Sequence, residues 1–205
     1  MLKEKNLQKL IEELETLTPE KLTPRERDIL RLHLGLDDGI KRGFEEVGQL
    51  FGITRTETEK ILNSAIQKTN EECIKNIMQI LAYKNLINNI FTKYIEIPND
   101  KTEELIDKLE ECLSLIDEDK REILKYYFGI TTGKNEDITS TAEKMGIEED
   151  EVERAVASAF RKLRHPKTTV KLRNFETESE KILEEKRAKF NNDLINLNFP
   201  DNVQN

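Results

Sequence analysis

Gly35 and Gly129 anchor a repeat that runs without a gap through much of this 205-residue chain. The 94-residue step from Gly35 to Gly129 also carries Arg27 onto Arg121, Ile29 onto Ile123, Leu30 onto Leu124, Gly39 onto Gly133, Gly52 onto Gly146, Ile53 onto Ile147, Ala65 onto Ala159 and Lys68 onto Lys162. Leu10, Ile11 and Leu14 fall on Leu105, Ile106 and Leu109 after a one-residue slip. Turn glycines and apolar positions that recur together at one period mark a tandem duplication. The chain is therefore expected to fold as two copies of one small unit.

Each copy reads as helical. After Pro24, tolerated in a first helical turn, the apolar residues Ile29, Leu30, Leu32 and Leu34 suit one buried stripe that stops near Gly35. Asp37-Asp38-Gly39 then marks a turn. Phe44, Val47, Leu50 and Phe51 share a face of a second, short helix, and Gly52 can take the positive φ that a tight turn needs. Thr54 is placed to cap a third helix bearing Ile61, Leu62, Ala65 and Ile66. That spacing is a helix-turn-helix, whose third helix enters a major groove by its N-terminal residues. Between the copies, residues 70 to 96 read as one long helix, apolar on more than one face and so expected to pack against both; Pro98-Asn99-Asp100 ends it. Past Phe175 the chain is polar, with a weak helical stripe at Ile182, Leu183, Leu194 and Ile195. A frayed end is expected from Pro200. Either a docking helix or a partly disordered tail fits that composition.

The expected class is thus all-α, with units at residues 1–69 and 102–175, a connecting helix and turn at 70–101 and a polar tail at 176–205. A 36% charged composition, a net charge of −8 and the absence of Trp describe a soluble, helix-rich protein. No stretch is apolar enough to span a bilayer and no signal-peptide pattern opens the sequence, so a cytoplasmic protein without a membrane partner is expected. Cys73 and Cys112 lie far apart on apolar stripes and read as buried thiols rather than a redox pair. His33 and His165 lack neighbours at ligand spacing, and no nucleophile–base set or phosphate-cradling glycine loop stands out. Neither an enzyme, a cofactor nor a metal is expected.

The ordered run from Leu22 to Arg55 resembles region 4 of bacterial sigma-70 family factors. It comprises Leu22-Thr23-Pro24-Arg25-Glu26-Arg27-Asp28-Ile29-Leu30, Gly35-Leu36-Asp37-Asp38-Gly39 and Phe44-Glu45-Glu46-Val47-Gly48-Gln49-Leu50-Phe51-Gly52-Ile53-Thr54-Arg55. The resemblance implies a unit that reads double-stranded promoter DNA and docks on RNA polymerase. The implied DNA-contacting set is Arg25, Phe44, Glu45, Thr54, Arg55, Thr56 and Lys60. Arg25 matches a phosphate-contacting arginine and Arg55 a base-reading one. Thr56 stands where the family has a base-contacting glutamate, Glu59 where it has a phosphate-contacting arginine, Lys60 where it has a base-reading glutamine and Ser64 where it has a lysine. These departures argue against the family's usual promoter sequence, although Arg55 and Lys60 suit guanine acceptors.

Charge separates the two copies. Residues 22–69 carry eight acids and eight bases, whereas residues 116–160 carry twelve acids and six bases, and residues 161–173 six bases and no acid. At the groove-facing turn the second copy has Glu148-Glu149-Asp150-Glu151, which suits a helix N-terminus but opposes the phosphate neutralisation on which DNA affinity rests. Arg161-Lys162-Leu163-Arg164-His165-Pro166 and Lys171-Leu172-Arg173-Asn174-Phe175 resemble the end of region 4 in primary sigma factors, near the polymerase flap contact. The resemblance implies a partner surface for the polymerase β subunit, with Leu163, Leu172 and Phe175 as apolar anchors and Arg161, Arg164 and Arg173 steering. It also admits a second sigma-like subunit as partner. Nothing resembles the promoter-melting region of a sigma factor. Two readings stay open: a promoter-reading transcription factor working with polymerase in the cytoplasm at the nucleoid, and a protein-interaction module that occupies the polymerase flap, or acts as an anti-sigma-like regulator, without reading DNA.

Overall fold

The computed structural model describes residues 5–16, 21–37 and 41–198, with side chains to residue 191. The architecture is all-α, and no strand occurs among the described residues. Helices α1 (Leu7–Glu15), α2 (Pro24–Leu34), α3 (Phe44–Phe51), α4 (Arg55–Lys68) and α5 (Glu71–Phe91) precede a 3-10 turn at Asn99–Lys101. Then follow α6 (Thr102–Leu113), α7 (Glu118–Tyr127), α8 (Ile138–Met145), α9 (Glu149–Leu163), α10 (Pro166–Thr169) and α11 (Arg173–Asn198).

The step from Gly35 to Gly129 reappears in the geometry. Pro24, Phe44 and Arg55 begin α2, α3 and α4 as Glu118, Ile138 and Glu149 begin α7, α8 and α9. The loop bonds match as well: Leu36 N donates to Arg31 O at 3.0 Å and Ile130 N to Lys125 O at 2.8 Å. Arg42 N donates to His33 O at 3.2 Å and Glu136 N to Tyr127 O at 3.1 Å. Gly35 and Gly129 take φ of 70° and 75°, and Gly52 and Gly146 take 65° and 68°, the left-handed values that favour glycine after a helix. Arg31 pairs with Glu15 of α1, and at the equivalent place Lys125 pairs with Glu110 of α6 at 2.8 Å. Asp38, Gly39 and Ile40, on which most of the expected turn falls, lie outside the described residues; Asp37 is in a turn.

One main apolar core spans both copies. It runs from Leu7 through Ile29, Leu62, Ile77 and Leu86 to Leu105, Leu124, Leu163, Leu172 and Phe175. The centre is α5, buried on several faces through Ile74, Ile77, Ile80, Ala82, Leu86 and Ile90. As expected it touches both halves: α1, α4 and α6 pack on it, and Gln79 Nε2 donates to Ile130 O at 2.9 Å. A separate small cluster, Ile123, Ala142, Val152 and Ala155, fills the interior of the second helix-turn-helix.

One expectation needs correction at its end, and the tail resolves to one of its two open readings. α5 stops at Phe91 rather than near residue 96, because Thr92 enters the left-handed region with φ 54°. The Asn88 side chain then accepts the Ile95 N–H at 2.7 Å, carrying the chain into an extended segment. Apolar Tyr94, Ile95 and Ile97 continue the hydrophobic pattern past the helix, which hides its end from a periodicity reading. Pro98-Asn99-Asp100 instead leads into the 3-10 turn. The polar tail is a continuous helix, α11, through Asn198. Its first turns are fixed by Lys93, which bridges Glu176 at 2.7 Å and Glu180 at 2.9 Å, and by Ser179 Oγ, which accepts the Glu96 N–H at 2.7 Å. Pro200, and the side chains of Leu194 and Ile195, lie outside the described residues. Cys73 and Cys112 are buried free thiols, and burial pushes Cys73 up to about 11.

Candidate nucleic-acid interface

The turn between α3 and α4 is set by close backbone approach. A Cβ on Gly48 would lie 2.7 Å from Ile53 O and 2.9 Å from Thr58 Oγ1, so only glycine lets the two helices meet without a shift. Thr58 Oγ1 donates back to Thr54 O at 3.0 Å. A capping box fixes the start of α4: Glu57 N donates to Thr54 Oγ1 at 3.2 Å, while Thr54 N donates to Glu57 Oε2 at 2.9 Å. At its far end Lys68 Nζ bridges Glu26 at 2.6 Å, tying α4 to the first turn of α2. The Lys68 hydrogen bond holds the Glu26 carboxyl down at about 2.

This frame presents Arg55, Thr56, Glu59, Lys60, Asn63 and Gln67 to solvent. Their spacing, i, i+1, i+4, i+5, i+8 and i+12, places them on one side of a 3.6-residue helix. Arg25, Arg55 and Lys60 are exposed and make no ion pair with the described residues. The Glu57 carboxyl lies below its ordinary value chiefly through its backbone bond from Thr54, with the Thr54 hydroxyl next and smaller pulls from Arg25 and Lys60. Those last two cations therefore share the surface around the α4 N-terminus. Asn63 and Gln67 were not singled out in the sequence, although their step of four from Glu59 would have placed them on this stripe.

Not every expected contact faces outward. Phe44 is half-buried against the core, its ring stacked on His33 with centroids 5.3 Å apart. Part of the ring therefore serves as an internal wedge at the start of α3, leaving only its remaining face to the surface. Glu45 is exposed at the same helix start. The Thr54 hydroxyl is occupied by the capping box.

The second copy differs at each corresponding place. Ala142 replaces Gly48 and Val152 replaces Thr58. Glu148 precedes α9 without a side-chain cap bond, and Glu149, Asp150 and Glu151 fill its first turn, all exposed. Lys162 repeats the tie made by Lys68, bridging Asp117 at 3.0 Å.

In the basic segment after α9 the apolar anchors are corrected. Leu163 and Leu172 are fully buried and Phe175 is 4% exposed, all within the main core. They hold α9, α10 and α11 together and cannot reach a partner while the fold persists. Arg164 is partly engaged: it donates to Asn89 O at 2.9 Å and its guanidinium carbon lies 4.8 Å from the Phe160 ring centroid. Lys171 bridges Glu111 at 2.6 Å. Arg161 and Arg173 remain exposed, and the exposed apolar residue between them is Val170, at 56%.

The RNA polymerase sigma factor SigA1 of Synechococcus elongatus is 53% identical over 47 residues, 23% of this chain and 12% of its own. SigA of Nostoc sp. is 48% identical over 64 residues, 31% of this chain and 16% of its own. Part of this chain is sigma-factor-like. SigA of Synechocystis sp. matches to the same degree, across 14% of its length. The chain therefore spans only a small fraction of the sigma factors it matches. No protein-family model and no solved structure matches it. Among the described residues no helix is long and apolar enough to cross a membrane.

Proposed function

We propose that this chain is a DNA-binding transcription factor of sigma region 4 type that reads a promoter element through its first copy and works with RNA polymerase. The observation that carries this reading is the rigid α4 stripe: Arg55 and Lys60, with Arg25 beside them, stand exposed and unpaired at the helix end that a helix-turn-helix puts into a major groove. The similarity to SigA proteins supports it. In this reading the two copies descend from one duplicated unit, with the second released from DNA reading. Its acidic α9 turn favours a protein role for that copy, with Arg161, Val170 and Arg173 on the surface offered to the polymerase β subunit or to a second sigma-like subunit. The place of action is the cytoplasm, at the nucleoid.

Selection of duplexes from a random pool by the full chain, paired with recovery of polymerase from a bacterial lysate, tests both halves of the proposal. Enrichment of one duplex sequence, lost with Arg55→Ala/Lys60→Ala, is the expected result. Polymerase recovery without any duplex enrichment would instead support an interaction module that occupies the flap.

A further inference from the structure

A cavity of about 390 Å³ lies where the two copies meet α5, within the range of about 300–1,000 Å³ typical of small-molecule sites. Leu34 of α2, Leu81 of α5 and Ile97 of the extended segment form apolar wall, and Lys84, Asn85 and Asn99 form a polar end. Gly133 brings the second copy to the same wall. Lys84 Nζ donates to Asn99 Oδ1 at 3.2 Å and has no carboxylate in salt-bridge range among the described residues. The two acids lining the cavity are engaged elsewhere: Glu96 accepts from Tyr94 Oη at 2.9 Å and Lys186 Nζ at 3.2 Å, and Asp37 is paired with Arg31. Burial holds the Lys84 amine down at about 8, against a pull upward from Glu96 and with a further push down from Lys186. The half-buried ammonium thus keeps donors to spare, and the acid nearest in effect, Glu96, is already engaged by Tyr94 and Lys186; a partly desolvated charge gains from an anionic partner.

We propose that this cavity binds a small organic acid, its carboxylate on Lys84 and the Asn85 and Asn99 amides, its apolar body along Leu34, Leu81 and Ile97. A compact phosphate dianion fits less well, since one wall is apolar and would be left uncovered. A second cation, Lys41, also lines the cavity and adds to its preference for anions. Because the walls come from both copies and α5, a bound acid braces the seam between them.

The probes are hexanoate, its uncharged analogue hexanamide, and inorganic phosphate, titrated into the full chain and into Lys84→Met. Thermal unfolding and amide NMR shifts are the readouts. Hexanoate is expected to raise the Tm of the wild type and to shift the Asn85 and Asn99 side-chain amide resonances, with hexanamide and phosphate inert. Lys84→Met keeps the side-chain length without the charge and should weaken hexanoate binding about tenfold or more, as loss of a hydrogen bond to a charged group implies. The resonance shifts in the wild type decide the matter even if the variant fails to fold. No binding of hexanoate, equal binding of hexanamide, binding of phosphate alone, shifts that map away from Asn85 and Asn99, or undiminished affinity in folded Lys84→Met would each overturn the proposal.

Discussion

At the scale of single residues, the two copies act as controls for each other. Val47, fully buried in α3, corresponds to Thr141 in α8, whose hydroxyl is buried with no hydrogen-bond partner. An unsatisfied buried hydroxyl costs about 1–3 kcal/mol, and valine matches its shape. Thr141→Val is therefore expected to stabilise the protein by about 1 kcal/mol or more, read as a raised midpoint in urea. An unchanged or lower midpoint would mean that the hydroxyl finds water. Arg55 supplies the functional counterpart. Its guanidinium is exposed at the first turn of α4 with no ion pair among the described residues, so Arg55→Ala removes a contact without disturbing the fold. The expected loss on a selected duplex is about 1–3 kcal/mol, with relaxed preference at one base pair; unchanged circular dichroism would confirm that folding is intact, and equal affinity of mutant and wild type would remove Arg55 from the reading set. Leu172→Ala or Phe175→Ala, in contrast, would report on the core, where truncation costs about 2–5 kcal/mol.

Helices were legible in the sequence wherever glycine or a capping residue punctuates them. Gly35, Gly52, Gly129 and Gly146 all adopt positive φ, and Thr54 caps the start of α4 as its position indicated. The end of α5 was not legible, because Thr92 carries no marker for a left-handed turn and apolar residues follow it. Leu163, Leu172 and Phe175 were misplaced for a related reason: a short basic run with three apolar residues does not reveal whether they face a partner or the protein's own centre. Nor did the sequence show that Lys68 and Lys162 clamp α4 and α9 to an acid at the start of α2 or α7. These clamps predict acid sensitivity. The Glu26 carboxyl lies at about 2 in the fold, below its ordinary 4.5, through Lys68. Asp117 lies at about 2, below 3.8, through Lys120 and Lys162. Groups depressed in the fold add stability that is complete above their ordinary values and is lost as pH falls toward the folded ones. Stability should therefore fall between about pH 4.5 and 2, and Lys68→Met should flatten part of that fall in urea melts at stepped pH. A parallel pH profile in the variant would show that the clamp carries no stability.

For the whole molecule, the continuity of the core decides how the halves behave. The main cluster runs from α1 to α11, so neither copy keeps a complete interior when cut away, and one cooperative thermal transition is expected. The interior of α8 and the first turns of α9 stands apart, resting on the small cluster of Ile123, Ala142, Val152 and Ala155. Regions with few buried apolar contacts open locally at free energies below the global value. Hydrogen exchange should therefore show α5 amides exchanging only through global unfolding, while α8 amides exchange through smaller openings. In the first copy, Val47 belongs to the main cluster, with Phe44 and Phe51 packed against it, so α3 amides should be better protected than those of α8. This asymmetry fits the proposed division of labour, since a reading helix must be held in register whereas an acidic helix facing a protein partner can adjust on docking. Exchange of α3 and α8 at equal rates, or two resolved thermal transitions, would show that the second copy is as firmly held as the first or folds independently of it.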